Sequence, residues 1–93
     1  MQSWELELWC AATTLLEKMD ELRGDQPTFW QWVERNEIDW GWFVEKAYSE
    51  AQSDWKYAPL LFVLRKLVQS LEKQDRRKAE YYASSTQYIL EEK

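Results

Sequence analysis

From Pro59 to Lys93 the chain reads PLLFVLRKLVQSLEKQDRRKAEYYASSTQYILEEK, a stretch with no Gly and, after its first residue, no Pro. Its leucines recur with the spacing of one face of an amphipathic helix: Leu60, Leu64, Leu67 and Leu71. Polar residues, Gln74 and Lys78, stand where that stripe would continue, before Tyr82 and Ile89 resume it. The stretch predicts either one long helix or two helices that break at these polar positions.

The two alternatives differ in how far this stretch would extend from the core. One helix of about 33 residues would be about 50 Å long, whereas a compact chain of 93 residues is about 32 Å across. A straight helix would project beyond its core, and Tyr81, Tyr82 and Tyr88 would then make a dimer contact or a partner-binding arm. A helix that folds back would place them on the monomer's own core. The sequence leaves both alternatives open.

Turn-forming residues are scarce in the rest of the chain as well, since the whole sequence contains two Gly and two Pro. This scarcity favours a few helices over many short strands. The first helix is predicted from Ser3 to Arg23, with Gly24 in the left-handed conformation that commonly ends a helix. Its inward stripe is Leu8, Ala12, Leu15, Met19 and Leu22.

Two more helices are predicted before the last stretch. Thr28 and Gln31 have the spacing of a capping box, which would open a helix that ends near Asn36. Asp39 is the expected N-cap of the next helix, which ends near Gln52. The inward stripes of these two helices are Phe29, Trp32 and Val33, and then Trp40, Phe43, Val44, Ala47 and Ala51.

Pro59 marks the start of the last helical region. Proline suits the first turn of a helix, but it disfavours helical backbone at the preceding residue, Ala58. Together the patterns predict an all-α fold in a single domain over residues 1–93. We expect a small orthogonal bundle of four helices, or five if the last stretch breaks, with residues 59–93 as a long C-terminal helix or helix pair.

Charge and tryptophan are distributed unevenly along the chain. All seven tryptophans lie before residue 56, and residues 1–58 contain 12 Asp and Glu against 5 Lys and Arg. Residues 59–93 contain 5 acidic and 7 basic residues. The net charge of −5 opposes direct binding to nucleic acid. The longest apolar run, residues 57–64, is too short to span a membrane, and the single Cys10 without a secretion signal predicts a cytoplasmic protein.

The sequence contains few features that are typical of catalytic or metal-binding sites. It contains no histidine, which excludes Ser-His-Asp arrangements and metal sites that use histidine. It also has no Gly-rich loop that could hold a phosphate. We expect no enzymatic activity, no metal and no cofactor.

Trp42 is the aromatic residue that the predicted core explains least. On a helical wheel it falls among Glu45, Lys46 and Ser49, away from the inward stripe. It is either a partner-binding anchor, with Trp30 beside it and Glu45 and Glu50 as accompanying charges, or it packs near Ile38. The other tryptophans are predicted in the core: Trp4, Trp9, Trp32, Trp40 and Trp55.

A second candidate surface is basic. If the last stretch is one helix, five cations fall within one sector opposite the leucines: Arg65, Lys66, Lys73, Arg76 and Arg77. This sector is either a docking face for an acidic partner, including the acidic half of another copy, or a solvated helix face.

These observations favour a binding protein. The leading hypothesis is a small acidic inhibitor or adaptor that docks on a basic surface of a larger protein. In general class, though in no sequence motif, it is similar to antirestriction and anti-CRISPR proteins, which present carboxylates where phosphates would sit. One alternative is an accessory or assembly subunit that dimerises through its C-terminal helix. Another is a helical module that binds a small ligand among Trp32, Trp40 and Phe43.

Overall fold

Five α-helices and one 3₁₀ turn make up residues 1–92, which are the residues that this computed structural model describes. These residues contain no strand, so the predicted all-α fold class is confirmed. In chain order the elements are α1 (Ser3–Glu21), α2 (Gln26–Arg35), α3 (Trp40–Ser53), the 3₁₀ turn (Trp55–Tyr57), α4 (Ala58–Glu72) and α5 (Arg76–Glu91).

The last stretch folds back on itself, so the prediction of a long C-terminal helix is wrong and that of a helix pair is correct. Gln74 adopts a left-handed backbone, with φ of 54°. The Gln74 N–H then donates to the Leu71 carbonyl at 3.2 Å, and the Asp75 N–H donates to the Ser70 carbonyl at 2.9 Å. This pair of bonds is the Schellman ending of a helix. Asp75 also caps α5, because its carboxylate accepts the Lys78 N–H at 3.2 Å.

The helices pack in the order α1, α5, α4, α3, with α5 between α1 and α4. The α1–α5 pair is antiparallel: Trp9 donates to Glu91 at 3.2 Å, and one turn further along α1 Thr13 accepts from Gln87 at 2.6 Å. The α4–α5 pair is a hairpin closed by three residues. α2 lies at the edge of this row, since Phe29 is its one fully buried residue.

The buried core confirms the helical stripes of α1 and α4. Leu8, Ala12, Leu15 and Met19 of α1 are buried, as are the four predicted leucines of α4. In α5, however, the predicted Tyr82 and Ile89 are only half-buried. The break at Gln74 resets the helical register, so that a different set faces inward: Ala79, Ala83, Thr86 and Leu90.

Local details of the helix ends correct three predictions. α1 ends at Glu21, and Gly24 has no positive φ, so the predicted left-handed cap is wrong. α2 begins before Thr28, because Asp25 is the N-cap and accepts the Thr28 N–H at 3.2 Å. Aspartate is favoured over threonine as an N-cap residue. Capping by Asp25 also places Pro27 in the first turn of α2, where the backbone N–H that proline lacks would have no partner within the helix.

The third correction concerns Ala58, which is helical despite the proline that follows it. The 3₁₀ turn leads directly into α4 and fixes Ala58 at φ −60°, ψ −43°, which overrides the local bias against helix. The predicted cap of α3 is confirmed, since the Asp39 carboxylate accepts the Trp42 N–H at 3.0 Å.

The radius of gyration is 12.9 Å, close to the value of about 12 Å expected for a compact chain of this length. The principal extents are 41 × 21 × 21 Å. The orthogonal crossing of helices stays a prediction.

Candidate functional site

The surface around Trp42 is positioned by the first turn of α3. Asp39 caps the helix, and Trp42 follows it with a side chain that is 42% exposed. One edge of the Trp42 ring rests on Phe43, with the ring centroids 5.2 Å apart. Glu45, on the same side of α3, is exposed. Trp42 is therefore held in place from one side and open to solvent on the other.

Two other residues predicted for this surface are less open. Trp30 is half-buried, with its ring against Phe29 at a centroid distance of 4.8 Å. Glu50 is half-buried and lies five residues beyond Glu45 on α3. Of the four predicted contact residues in this part of the chain, Trp42 and Glu45 are the most accessible.

The core predictions for the remaining tryptophans are largely confirmed. Trp4 is buried, and Trp9, Trp32 and Trp40 are half-buried against the core. Trp55 is 77% exposed, so its assignment to the core is wrong. It lies in the 3₁₀ turn, where Tyr57 is the residue that faces inward.

The five predicted cations do not form one sector of one helix, because the break divides them. Arg65 and Lys66 lie on α4, Lys73 caps its end, and Arg76 and Arg77 begin α5. Arg65 contacts the neighbouring helix α3, whereas Lys66 and Arg76 make contacts within their own helices. The Arg65 guanidinium lies 5.7 Å from the Tyr48 ring centroid, Lys66 lies 5.5 Å from that of Phe62, and Arg76 pairs with Glu80 at 3.0 Å.

A cleft of about 870 Å³ opens at the end of the bundle where α1 begins, α4 begins and α5 ends. It brings together segments that are far apart in sequence. Its walls include Gln2 and Glu5 from the start of the chain, Tyr57 from the 3₁₀ turn and its N-cap Asp54, and Tyr88 and Ile89 from α5. The sequence patterns did not indicate this cleft.

Glu5 is the unusual residue of this cleft, because it is a carboxylate with 2% exposure. Its Oε1 accepts the Gln2 backbone N–H at 3.0 Å and the Tyr57 hydroxyl at 3.3 Å. The Gln2 amide donates to the Tyr57 oxygen at 3.2 Å and accepts from the Trp4 indole at 3.3 Å. Burial, opposed by the Gln2 bond and aided by the nearby Glu5 charge, raises the pKa of Tyr57 above its usual value of 10.0.

The sequence contained one weak signal for Glu5. A carboxylate three residues after a helix N-cap is the second half of a capping box, and Gln2 and Glu5 have that spacing. Glutamine is not a favoured N-cap residue, so the spacing alone does not stand out. The burial of Glu5 depends on Tyr57, which no local pattern connects to it.

Within residues 1–92, no three His, Cys, Asp or Glu side chains are grouped so that they could hold a metal ion. None of the helices described is both long and apolar enough to traverse a bilayer. Comparison with known protein families, with curated proteins and with solved structures finds no match to this chain.

Proposed function

We propose that this protein is a non-enzymatic, cytoplasmic binding protein that docks the Trp42 surface of α3 on a basic region of a larger protein. The hypothesis takes the tryptophan as the anchor and the neighbouring carboxylates as the charges that orient the partner. Desolvated tryptophan is enriched among the residues that dominate binding energy. Complementary charge adds mainly to the association rate and to specificity.

The exposure of Trp42 is the observation that supports this proposal best. Its ring contacts Phe43 at a centroid distance of 5.2 Å, and 42% of its surface is open to a partner. Glu45 beside it is exposed and forms no ion pair with any residue between 1 and 92. A basic partner would therefore meet an unpaired carboxylate and a fixed aromatic ring together.

The first test identifies the partner and then measures the surface. A photo-crosslinking residue at position 42 should capture a protein from the native host, whereas the same residue at position 55 should not. With that partner purified, Trp42→Ala should weaken binding by at least about tenfold, the loss typical of an anchor residue. Trp55→Ala is the matched control, because Trp55 is more exposed but lies outside the proposed surface.

The charges are tested separately. Glu45→Gln and Glu50→Gln should each weaken binding by a factor of about two to five and reduce its dependence on salt, as expected for charges at the rim of an interface. Trp30→Ala should have a smaller effect than Trp42→Ala, since Trp30 is already half-buried. Equal affinity of the Trp42→Ala variant and the unmodified protein would refute the proposal.

Inhibition by mimicry of nucleic acid is a finer version of the same proposal. It requires that the partner be a nucleic-acid-binding protein and that duplex DNA compete with this chain for it. A partner that binds both at once would exclude mimicry while leaving the docking surface intact.

The alternative of an assembly subunit that dimerises through its C-terminal helix stays a prediction, although its original motivation is gone. It depended on a helix that projects from the globule, whereas α5 packs on α4 and α1. The ligand-binding alternative has no specific support either, because Trp40 packs on Phe43, with centroids 6.2 Å apart, and Phe43 is buried.

A further inference from the structure

The cleft at the start of α1 contains a carboxylate oxygen that the fold leaves without a partner. Glu5 Oε2 is buried and accepts no hydrogen bond from any residue between 1 and 92. Buried polar atoms are nearly always paired, and an unpaired one is unfavourable, the more so if it is charged. The capping role of Glu5 accounts for Oε1, which receives two bonds, but not for Oε2.

The charge of Glu5 is also unbalanced. No Lys or Arg among residues 1–92 lies within ion-pair distance of its carboxylate. The position of Glu5 in the first turn of α1 places it near the positive end of the helix dipole, which offsets part of this charge. The cleft has two further carboxylates in its walls, Asp54 and Glu92, and two cations, the Lys56 ammonium and the N-terminal ammonium of Met1. Its lining is therefore negative overall and repels anions.

The other walls of the cleft are apolar or aromatic. Tyr88 is 65% exposed and presents its ring to solvent at the cleft, while Ile89 is half-buried beside it and Pro59 lies on the opposite element. An aromatic ring attracts a cation through its face, and an aliphatic stem packs on such walls without losing hydrogen bonds. A ligand that suits both parts has a positive donor group on a short apolar stem.

We propose that this cleft binds an organic cation, namely a primary ammonium or guanidinium group on an apolar stem, and that Glu5 Oε2 accepts a hydrogen bond from its head group. The stem lies along Tyr88 and Ile89. Oε2 is enclosed, so the head group reaches it when a neighbour moves. We expect this neighbour to be Gln2, an exposed residue that lines the cleft and whose side chain is bonded to Tyr57 and Trp4 at 3.2 and 3.3 Å.

This inference does not depend on the Trp42 surface, and its test uses small probes with the intact chain. Titration with n-butylammonium chloride at constant ionic strength, followed by ¹H–¹⁵N NMR, should give saturable shifts at the Gln2 and Glu5 amides and at the Trp4 indole. Affinity on the order of millimolar is expected for so small a ligand. Neutral n-butanol and anionic butyrate, which have the same stem, should give no saturable shift at these positions.

Variants assign the binding to Glu5. Glu5→Gln should weaken butylammonium binding by at least about tenfold, because it removes a charge-assisted bond, and glutamine preserves the capping box. Glu7→Gln is the matched control: it makes the same change of charge on an exposed residue of the same helix that does not line the cleft. Tyr88→Ala, at an exposed position that does not threaten folding, should weaken binding by a factor of about two to five.

A second probe, Nα-acetyl-lysine methylamide, distinguishes two possible sources of the cation. Binding of this blocked lysine would indicate the side chain of a partner protein, whereas binding of butylammonium alone would indicate a free amine; either result supports the site. The inference is overturned if n-butanol shifts the same signals as strongly, if Glu5→Gln and Glu7→Gln bind equally, or if no signal saturates.

Discussion

Gln74 determines the direction of the last fifth of the chain through a single backbone angle. A left-handed conformation costs a residue with a Cβ about 1–2 kcal/mol relative to glycine, and Gln74 is the one described residue with a positive φ. Folding back buries the apolar face of α5, and Leu90 alone contributes about 1.5–3 kcal/mol when it is fully buried. The burial therefore outweighs the strain at Gln74.

Gln74→Gly should raise the free energy of unfolding by about 1 kcal/mol, because glycine adopts the left-handed conformation without steric cost. The gain is smaller than the full strain because glycine also increases the entropy of the unfolded chain. Urea unfolding measures the change. The control is Gln69→Gly at an exposed position in the last turn of α4, which should lower stability by up to about 1 kcal/mol; a loss of stability at both positions would contradict the strain at Gln74.

Tyr57 should give folding stability a dependence on alkaline pH. Burial raises the pKa of its phenol, and the negative charges of Glu5 and Glu50 act in the same direction. The folded state thus favours the neutral phenol, so this contribution is complete below the unfolded pKa of about 10 and is lost as pH rises through the higher folded value. Above pH of about 10, unfolding at lower urea concentration is expected.

Tyr57→Phe isolates this contribution. At neutral pH the variant should be less stable by about 1 kcal/mol, because the hydrogen bond to Glu5 is lost. Between pH 9 and 11, about one unit to either side of the ordinary tyrosine pKa, the difference between the two proteins should shrink. Tyr81→Phe, at an exposed ring, is the control and should leave the pH profile unchanged; a constant difference across this range would refute the assignment to Tyr57.

At the scale of helices, the sequence predicted faces better than ends. The buried stripes of α1 and α4 are predicted correctly because the position of a residue on the 3.6-residue helical repeat depends only on the local sequence. The burial of Leu8 and of Leu64 follows from that position. The break between α4 and α5 was not decided by the sequence, since it has neither Gly nor Pro there. It results from a competition between local strain at Gln74 and burial against α1, and the second of these is a tertiary effect.

Small residues on α5 permit the close packing of this helix between its neighbours. Ala83 has no exposed surface, and α5 contacts both α1 and α4. Ala83→Leu should lower the free energy of unfolding by about 1–3 kcal/mol, because the larger side chain has no space without displacement of a helix. Ser84→Leu, at the adjacent exposed position, should change it by less than about 0.5 kcal/mol. Equal effects in thermal or urea unfolding would show that α5 is not tightly packed.

At the scale of the whole molecule, distance in the sequence limited what could be predicted. The exposure of Trp42 agrees with one of its two interpretations, because a wheel places a side chain relative to its own helix. The cleft around Glu5 was missed because it joins residues near positions 2, 57 and 89, which no periodicity relates. The exposure of Trp55 was missed for a similar reason, since it depends on a 3₁₀ turn between two helices.

For the whole molecule, the main consequence of the folded-back helix concerns self-association. Of the three tyrosines that a straight helix would have offered to a second copy, Tyr82 is half-buried against the core of its own chain. Tyr81 and Tyr88 stay 67% and 65% exposed, so the expectation that folding back would place them on the core is wrong. The net charge of −5 adds repulsion between copies at low salt. We therefore expect a monomer of 11.4 kDa by light scattering at micromolar concentration.

If two copies do pair, the exposed aromatic residues of α4 and of the turn before it are the expected contact. Trp55 in the 3₁₀ turn is 77% exposed, and Phe62 on α4 is 59% exposed. A mass that rises with protein concentration and returns to 11.4 kDa in Phe62→Glu would show that these residues pair two copies. A mass independent of concentration in both proteins is the expected result, because two separated rings bury too little area for a stable dimer.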